Sequence, residues 1–236
     1  KEIFKIEECI LLTGEKKEKK EEGKRAPWME IALKEAKNYG GYNEGNTVAT
    51  KRKPVNITIL TKRIQSTYFS IKNEATNSKS NPGDISWCAV FASWCLQQAG
   101  YANPSSCRAL EFNPSYHHDP KMPDRLSGMR RISKPTYGCI IVWKNISGVG
   151  GHVAFFYGMS SDGYIIPLGG NQGDSLQFSK RHPDGDYKQK VVGYFLPNDY
   201  EDNPEDEFTE DELNLDPVQL NKSDLLAKHG QISGKT

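Results

Sequence analysis

One change of periodicity limits the folds open to this chain. Up to Gly100 its apolar residues recur at helical spacing, and from Cys139 onward they come in short continuous runs. PWMEIALKEAKNYGG, opened by Pro27, sets Trp28, Ile31, Ala32 and Ala36 on one helical face and stops at Gly40. SWCAVFASWCLQQAG repeats the pattern with Trp87, Val90, Phe91, Trp94, Cys95 and Ala99. Ser86 or Asp84 is the expected cap and Gly100 the stop. Later, CIIVWK, HVAFFYG, YIIPLGG, QFSKRH and VVGYFLP read as strands, joined by a Ser-Asp-Gly turn at 161–163 and a Pro-Asp-Gly-Asp turn at 183–186. Between the halves, residues 101–137 form a proline-rich stretch expected to be irregular. Helices followed by an antiparallel meander give an α+β fold, in which each half needs the other to bury its apolar surface.

Charge divides the chain differently. The formal net charge is +1, yet residues 198–236 carry 11 acidic and 3 basic groups, so this end is −8 and the rest +9. Residues 198–236 are therefore expected to be a solvated, flexible tail. GEKKEKKEEGKR at 14–25 is a low-complexity run of mixed charge, and residues 1–25 read as a charged extension. The packed domain should span 26–197. VQLNKSDLLAKHG is expected to form a short amphipathic helix ending at Gly230. A spanning helix is excluded, because only Trp87 to Leu96 is densely apolar, about half the ~20 residues a bilayer needs. Nucleic-acid binding is disfavoured, since the lysines at 16–25 alternate with glutamates and lack interleaved aromatics. No signal-peptide pattern is visible, the apolar pieces near the start being broken by Lys5, Glu7 and Glu8.

Five cysteines, with no CxxC pair, argue against a disulfide framework or a structural zinc site. Cys88 lies where a helix begins, facing unpaired backbone N–H groups and the positive end of the helix dipole, which favour a thiolate. A buried core cysteine is the competing reading, and the pattern alone leaves both open. Cys95, mid-helix, reads as core. A thiolate nucleophile needs a base, and His152, after Gly148-Val149-Gly150-Gly151, opens an apolar strand where its ring can stand at the sheet's rim. Asn171 and Gln172 end the next strand, which an antiparallel hairpin returns beside His152. His117-His118-Asp119 resembles a metal cluster, but adjacent histidines point apart. His182 and His229 read as solvated.

These motifs, in the order SWCAVFASWCLQQAG, Pro-x-x-Gly-x-apolar at 135–142, GGHVAFFYG, YIIPLGGNQGDS and VVGYFLP, resemble the papain-like cell-wall peptidases of the NlpC-type and CHAP amidase clan. The likeness is greatest to a bacterial and phage subfamily with an aromatic-Cys-Ala helix and a Leu-Gly-Gly-Asn-Gln strand end. It covers about residues 26–197. It implies a papain-like fold, with N-terminal helices on an antiparallel sheet, and hydrolysis of an amide in the peptidoglycan stem peptide. The family's nucleophile matches Cys88, its base His152 and its polar third residue Asn171, with Gln172 as the alternate. Asp84, Trp87 and Gln172 are expected to contact substrate. No metal and no organic cofactor is implied. Two positions depart from the pattern: Ser86 stands where proline is usual, and Gly138-Cys139 where Gly-Asp is usual. Without a signal peptide, an enzyme of this kind made in the cytoplasm would reach the wall in phage lysis or by contact-dependent delivery. Delivery implies a cognate immunity protein as partner. An acyltransferase or deamidase using the same Cys–His pair, and a catalytically silent binding module, are the other classes open to such a chain.

Overall fold

The computed structural model describes residues 24–49, 54–71, 79–116 and 127–228. In chain order its elements are α1 (Trp28–Tyr39), β1 (Gly45–Asn46), β2 (Asn56–Ile57), α2 (Ile59–Ser66), α3 (Cys88–Gln98), β3 (Met129–Ile132), β4 (Ile140–Asn145), β5 (Gly151–Met159), β6 (Ile165–Gly169), β7 (Gln177–Phe178), β8 (Gln189–Pro197) and α4 (Pro217–Lys222). This is the expected α+β, papain-like arrangement, with helices packed on an antiparallel sheet. The sheet order is β3-β8-β4-β5-β6-β7. Only β4 to β7 form a meander, because β8 returns to the middle and pairs with both β4 and β3.

α3 is buried all round from Cys88 to Leu96, which accounts for its nearly continuous apolar sequence. It lies against β5 and β6 on one side and α1 on the other. α1 is pinned by Trp28, whose indole N–H donates to the Gly138 carbonyl at 2.7 Å while Tyr101 and Tyr200 meet its ring edge-on. Neither Ser86 nor Asp84 caps α3. The N-cap is Trp87, with no side-chain cap bond, so the first N–H groups of the helix stay free for the thiol beside them.

Three regions differ from the sequence expectation. The polar stretch after α1 contains α2, set by a reciprocal capping box in which Thr58 and Thr61 satisfy each other's backbone N–H. Within 101–137, residues 109–112 make a 3-10 turn against β4 and β5, and β3 pairs with the end of β8. The expected flexible tail is packed through residue 228. Arg25 holds Glu212 through two bonds of 2.8 and 2.6 Å, and Phe208 packs tilted against Phe156 with ring centroids 4.8 Å apart. Leu215 N–H donates to Met159 O, and Asn221 exchanges two hydrogen bonds with the Phe178 backbone. Net composition concealed this strap. Its few apolar residues are spaced to reach the sheet, while its acids meet cations of the basic domain. α4 covers six residues, ending at Lys222 with Ser223 as its C-cap rather than near Gly230. Cys9, most of the 14–25 run, His117-His118-Asp119, His229 and Gly230 lie outside the described residues.

Candidate functional site

Two glycines let the elements of the site approach. A Cβ at Gly170 would meet the Trp87 ring at 2.4 Å, so the turn after β6 lies directly on the residue before Cys88. A Cβ at Gly151 would meet the Trp143 carbonyl at 1.9 Å, so the start of β5 can close onto β4 only without a side chain. The Cys88 thiol is thereby held at the start of α3 within reach of backbone N–H groups of Val153, Ala89 and Cys88 itself. Val153 adjoins His152, so the helix start and the strand start meet at this point.

The electrostatics differ from what the helix position predicts. Burial pushes the Cys88 thiol up, outweighing the three N–H groups and the charge of Arg181 that pull it down. Burial likewise pulls the His152 imidazole down to about 3, helped by the charge of Arg181 and opposed by a hydrogen bond with Gln172. At rest the pair is a thiol and a neutral imidazole. Cys88 is 1% exposed and His152 6%. His152 Nε2 is buried without a hydrogen-bond partner, and no hydrogen bond joins the imidazole to Cys88.

Gln172 rather than Asn171 acts on the imidazole, raising its pKa against the pull of burial. Its amide nitrogen donates to Pro167 O at 3.2 Å and Gln177 O at 2.5 Å, and its oxygen accepts from Ser179 Oγ at 2.7 Å. Those bonds fix the buried side chain against His152. Asn171 occupies the turn with φ of 58°, a left-handed conformation asparagine tolerates. Asp84 is exposed and accepts from Asn81 at 2.8 Å, and Trp87 is fully buried with its N–H donating to Glu44. Trp87 therefore packs the core beside the thiol, whereas Asp84 faces solvent. His182 is exposed, its Nδ1 accepting from Asp184 N–H. Among the described residues Cys88, Cys95, Cys107 and Cys139 are free thiols, and no group of three or more His, Cys, Asp or Glu is placed to hold a metal.

Two neighbours of the pair escaped the sequence reading. Trp143 lies directly across the ladder from His152, with ring centroids 5.7 Å apart. A hairpin count through the Gly148–Gly151 turn would have found it. Arg181 stacks its guanidinium 5.2 Å from the Trp143 ring centre and donates to Gln189 Oε1 at 2.9 Å. Nothing in its sequence surroundings singles it out. A cavity of 530 Å³ lies elsewhere, between β3 and residues 202–207, and shares no residue with this site.

A helix-start thiol and a strand-start imidazole, on helices packed against an antiparallel sheet, define a papain-like α+β domain. Residues 79–171 match the family model described as the CHAP domain, a span running from before α3 to the turn after β6. It takes in Cys88, His152 and Asn171 and ends one residue before Gln172. No curated protein and no solved structure matches the chain. No helix among the described residues is long and apolar enough to cross a membrane.

Proposed function

We propose that the chain hydrolyses an amide bond of the peptidoglycan stem peptide, with Cys88 as nucleophile and His152 as base. The CHAP match over residues 79–171 carries this reading, since such domains are typically hydrolases of peptidoglycan and the match contains both residues. The convergence of the α3 start and the β5 start supports it independently.

In this mechanism His152 takes the proton of Cys88 as sulfur adds to the scissile carbonyl. The oxyanion formed there meets the backbone N–H groups at the α3 start. His152 then gives its proton to the leaving amine, the C–N bond breaks, and a thioester remains on Cys88. Water, losing a proton to His152, cleaves the thioester and restores the thiol. Gln172 acts as the positioning residue, fixing the imidazole plane through its own three bonds. Asn171, one residue earlier, shapes the turn that presents Gln172. Substrate entry requires the cover over Cys88 to move, because the thiol is buried in the resting structure.

That burial favours one competing reading, a catalytically silent binding module. Digestion of purified cell walls, with the released muropeptides identified by mass spectrometry, separates the two. The hydrolase releases a defined new amine terminus, and Cys88→Ala lowers the rate by at least about 1000-fold while leaving the circular dichroism unchanged. Release that survives Cys88→Ala, or no release by the unsubstituted chain, overturns the proposal. Delivery to a rival cell's wall, with an immunity protein in the producer, is the cellular setting we favour. It predicts toxicity only when the chain is expressed with a secretion signal.

A further inference from the structure

Arg181 differs from the domain's other partly buried arginines. Arg25, Arg63 and Arg130 each hold a carboxylate, at 2.6, 2.7 and 2.6 Å. Among the described residues Arg181 makes no ion pair, and its guanidinium donates to the neutral Gln189 amide. Asp186 acts on it electrostatically without approaching to bridging distance. A guanidinium withdrawn this far from water gains from a compensating anion. Among the described residues no carboxylate reaches bridging distance of it.

The side chain is built in rather than loose. Its backbone bridges Ile165 through two hydrogen bonds of 2.8 and 2.9 Å. Gln189, which takes one of its N–H groups, is itself held by Asn145 at 2.8 Å, and Asn145 donates to Val149 O at 2.9 Å in the turn before His152. Trp143 supports the guanidinium at 5.2 Å and meets the His152 ring at 5.7 Å. The guanidinium is therefore held one indole ring away from His152, near enough for its charge to act on both Cys88 and His152. A planar fork matches a carboxylate through two parallel bonds.

We infer that Arg181 holds a carboxylate of the substrate beside the scissile amide, so that the site selects peptides carrying a free acid at that position. This rests on the hydrolase reading of the same site. Stem peptides suit it, because their glutamyl and C-terminal residues carry free carboxylates. The arrangement also couples binding to chemistry. The charge of Arg181 opposes protonation of His152, and a bound carboxylate offsets that charge when His152 must accept the thiol proton.

The test uses synthetic stem peptides in which each free carboxylate in turn is replaced by a carboxamide, with kcat/KM measured for each. With the unsubstituted chain, one replacement lowers kcat/KM by about 10- to 100-fold. In Arg181→Gln the same replacement changes it by less than about threefold, and Arg181→Lys, keeping the charge without the fork, gives an intermediate ratio. The inference is overturned if no replacement matters to the unsubstituted chain, or if Arg181→Gln keeps the full discrimination. Should Arg181→Gln fail to fold, the peptide series on the unsubstituted chain and on Arg181→Lys still decides. Cleavage of every peptide alike removes the Arg181 assignment and leaves the hydrolase reading standing. Cleavage of none removes both.

Discussion

His152 sits in surroundings that disfavour its charged form, and that has a measurable consequence for stability. Its folded value of about 3 lies below the ordinary 6.5, so the folded state binds fewer protons than the unfolded chain between those values. The stabilising contribution is complete above pH 6.5 and is lost as pH falls towards 3. Urea midpoints should therefore fall between pH 7 and 4, and His152→Gln should flatten that slope. An unchanged slope in the variant would contradict the burial described for the imidazole. Gln172→Ala addresses the neighbouring contact. It frees the imidazole and strips partners from Ser179 Oγ and two buried carbonyls, at about 1–3 kcal/mol in stability. On wall substrate it should lower kcat by about 100-fold, with a much smaller effect on KM. Asn171→Ala, at a turn position, serves as the contrast and should leave kcat far less changed.

Elements show which features were legible in the sequence. α3 and β5 are long and buried, so their apolar runs announced both type and position. α2 was hidden because it spans eight residues and its evidence is a capping pair rather than a stripe. β3 reads MRRI, where charge masks a strand with only Met129 fully buried. The candidate pair was legible because each member opens an apolar element, whereas Arg181 follows Lys180 in a short polar run after an edge strand. The strap misled for a different reason: an average over many acids cannot show where six or seven apolar side chains land. One of those acids, Asp206, is 1% exposed and pushed up to about 6 by burial, despite a hydrogen bond from Tyr200. Its folded value exceeds the ordinary 3.8, so its favourable contribution is present below that value and lost as pH rises through 6. Asp206→Asn should raise stability at pH 7.5 by about 2 kcal/mol and give no gain at pH 4, read from urea midpoints at each pH.

Across the whole molecule, acids of the strap meet cations of the domain, yet the strap is held chiefly by burial. Lys134–Glu207 is an exposed pair and Arg130–Asp202 is open to solvent at Asp202, so each is worth under about 1 kcal/mol. Phe208 on Phe156, Leu226 in the core and the Asn221 bonds to Phe178 are shielded from salt. Ending the chain at Pro197 should therefore lower the melting temperature by more than about 10 °C, whereas 1 M salt on the full chain should shift it by only a few degrees. A truncated chain that melts like the full one would show that the strap merely rests on the domain.

β8 has a consequence for biogenesis. The strand that fills the middle of the sheet emerges from the ribosome after all five of its companions, so β3 and β4 wait for a shared neighbour that does not yet exist. Until about residue 197 is synthesised the nascent polypeptide keeps two strand edges open, and closure depends on contacts distant along the chain, which form slowly. Ribosome-bound intermediates arrested before Gln189 should remain protease-sensitive throughout, with protection arriving in a single late step.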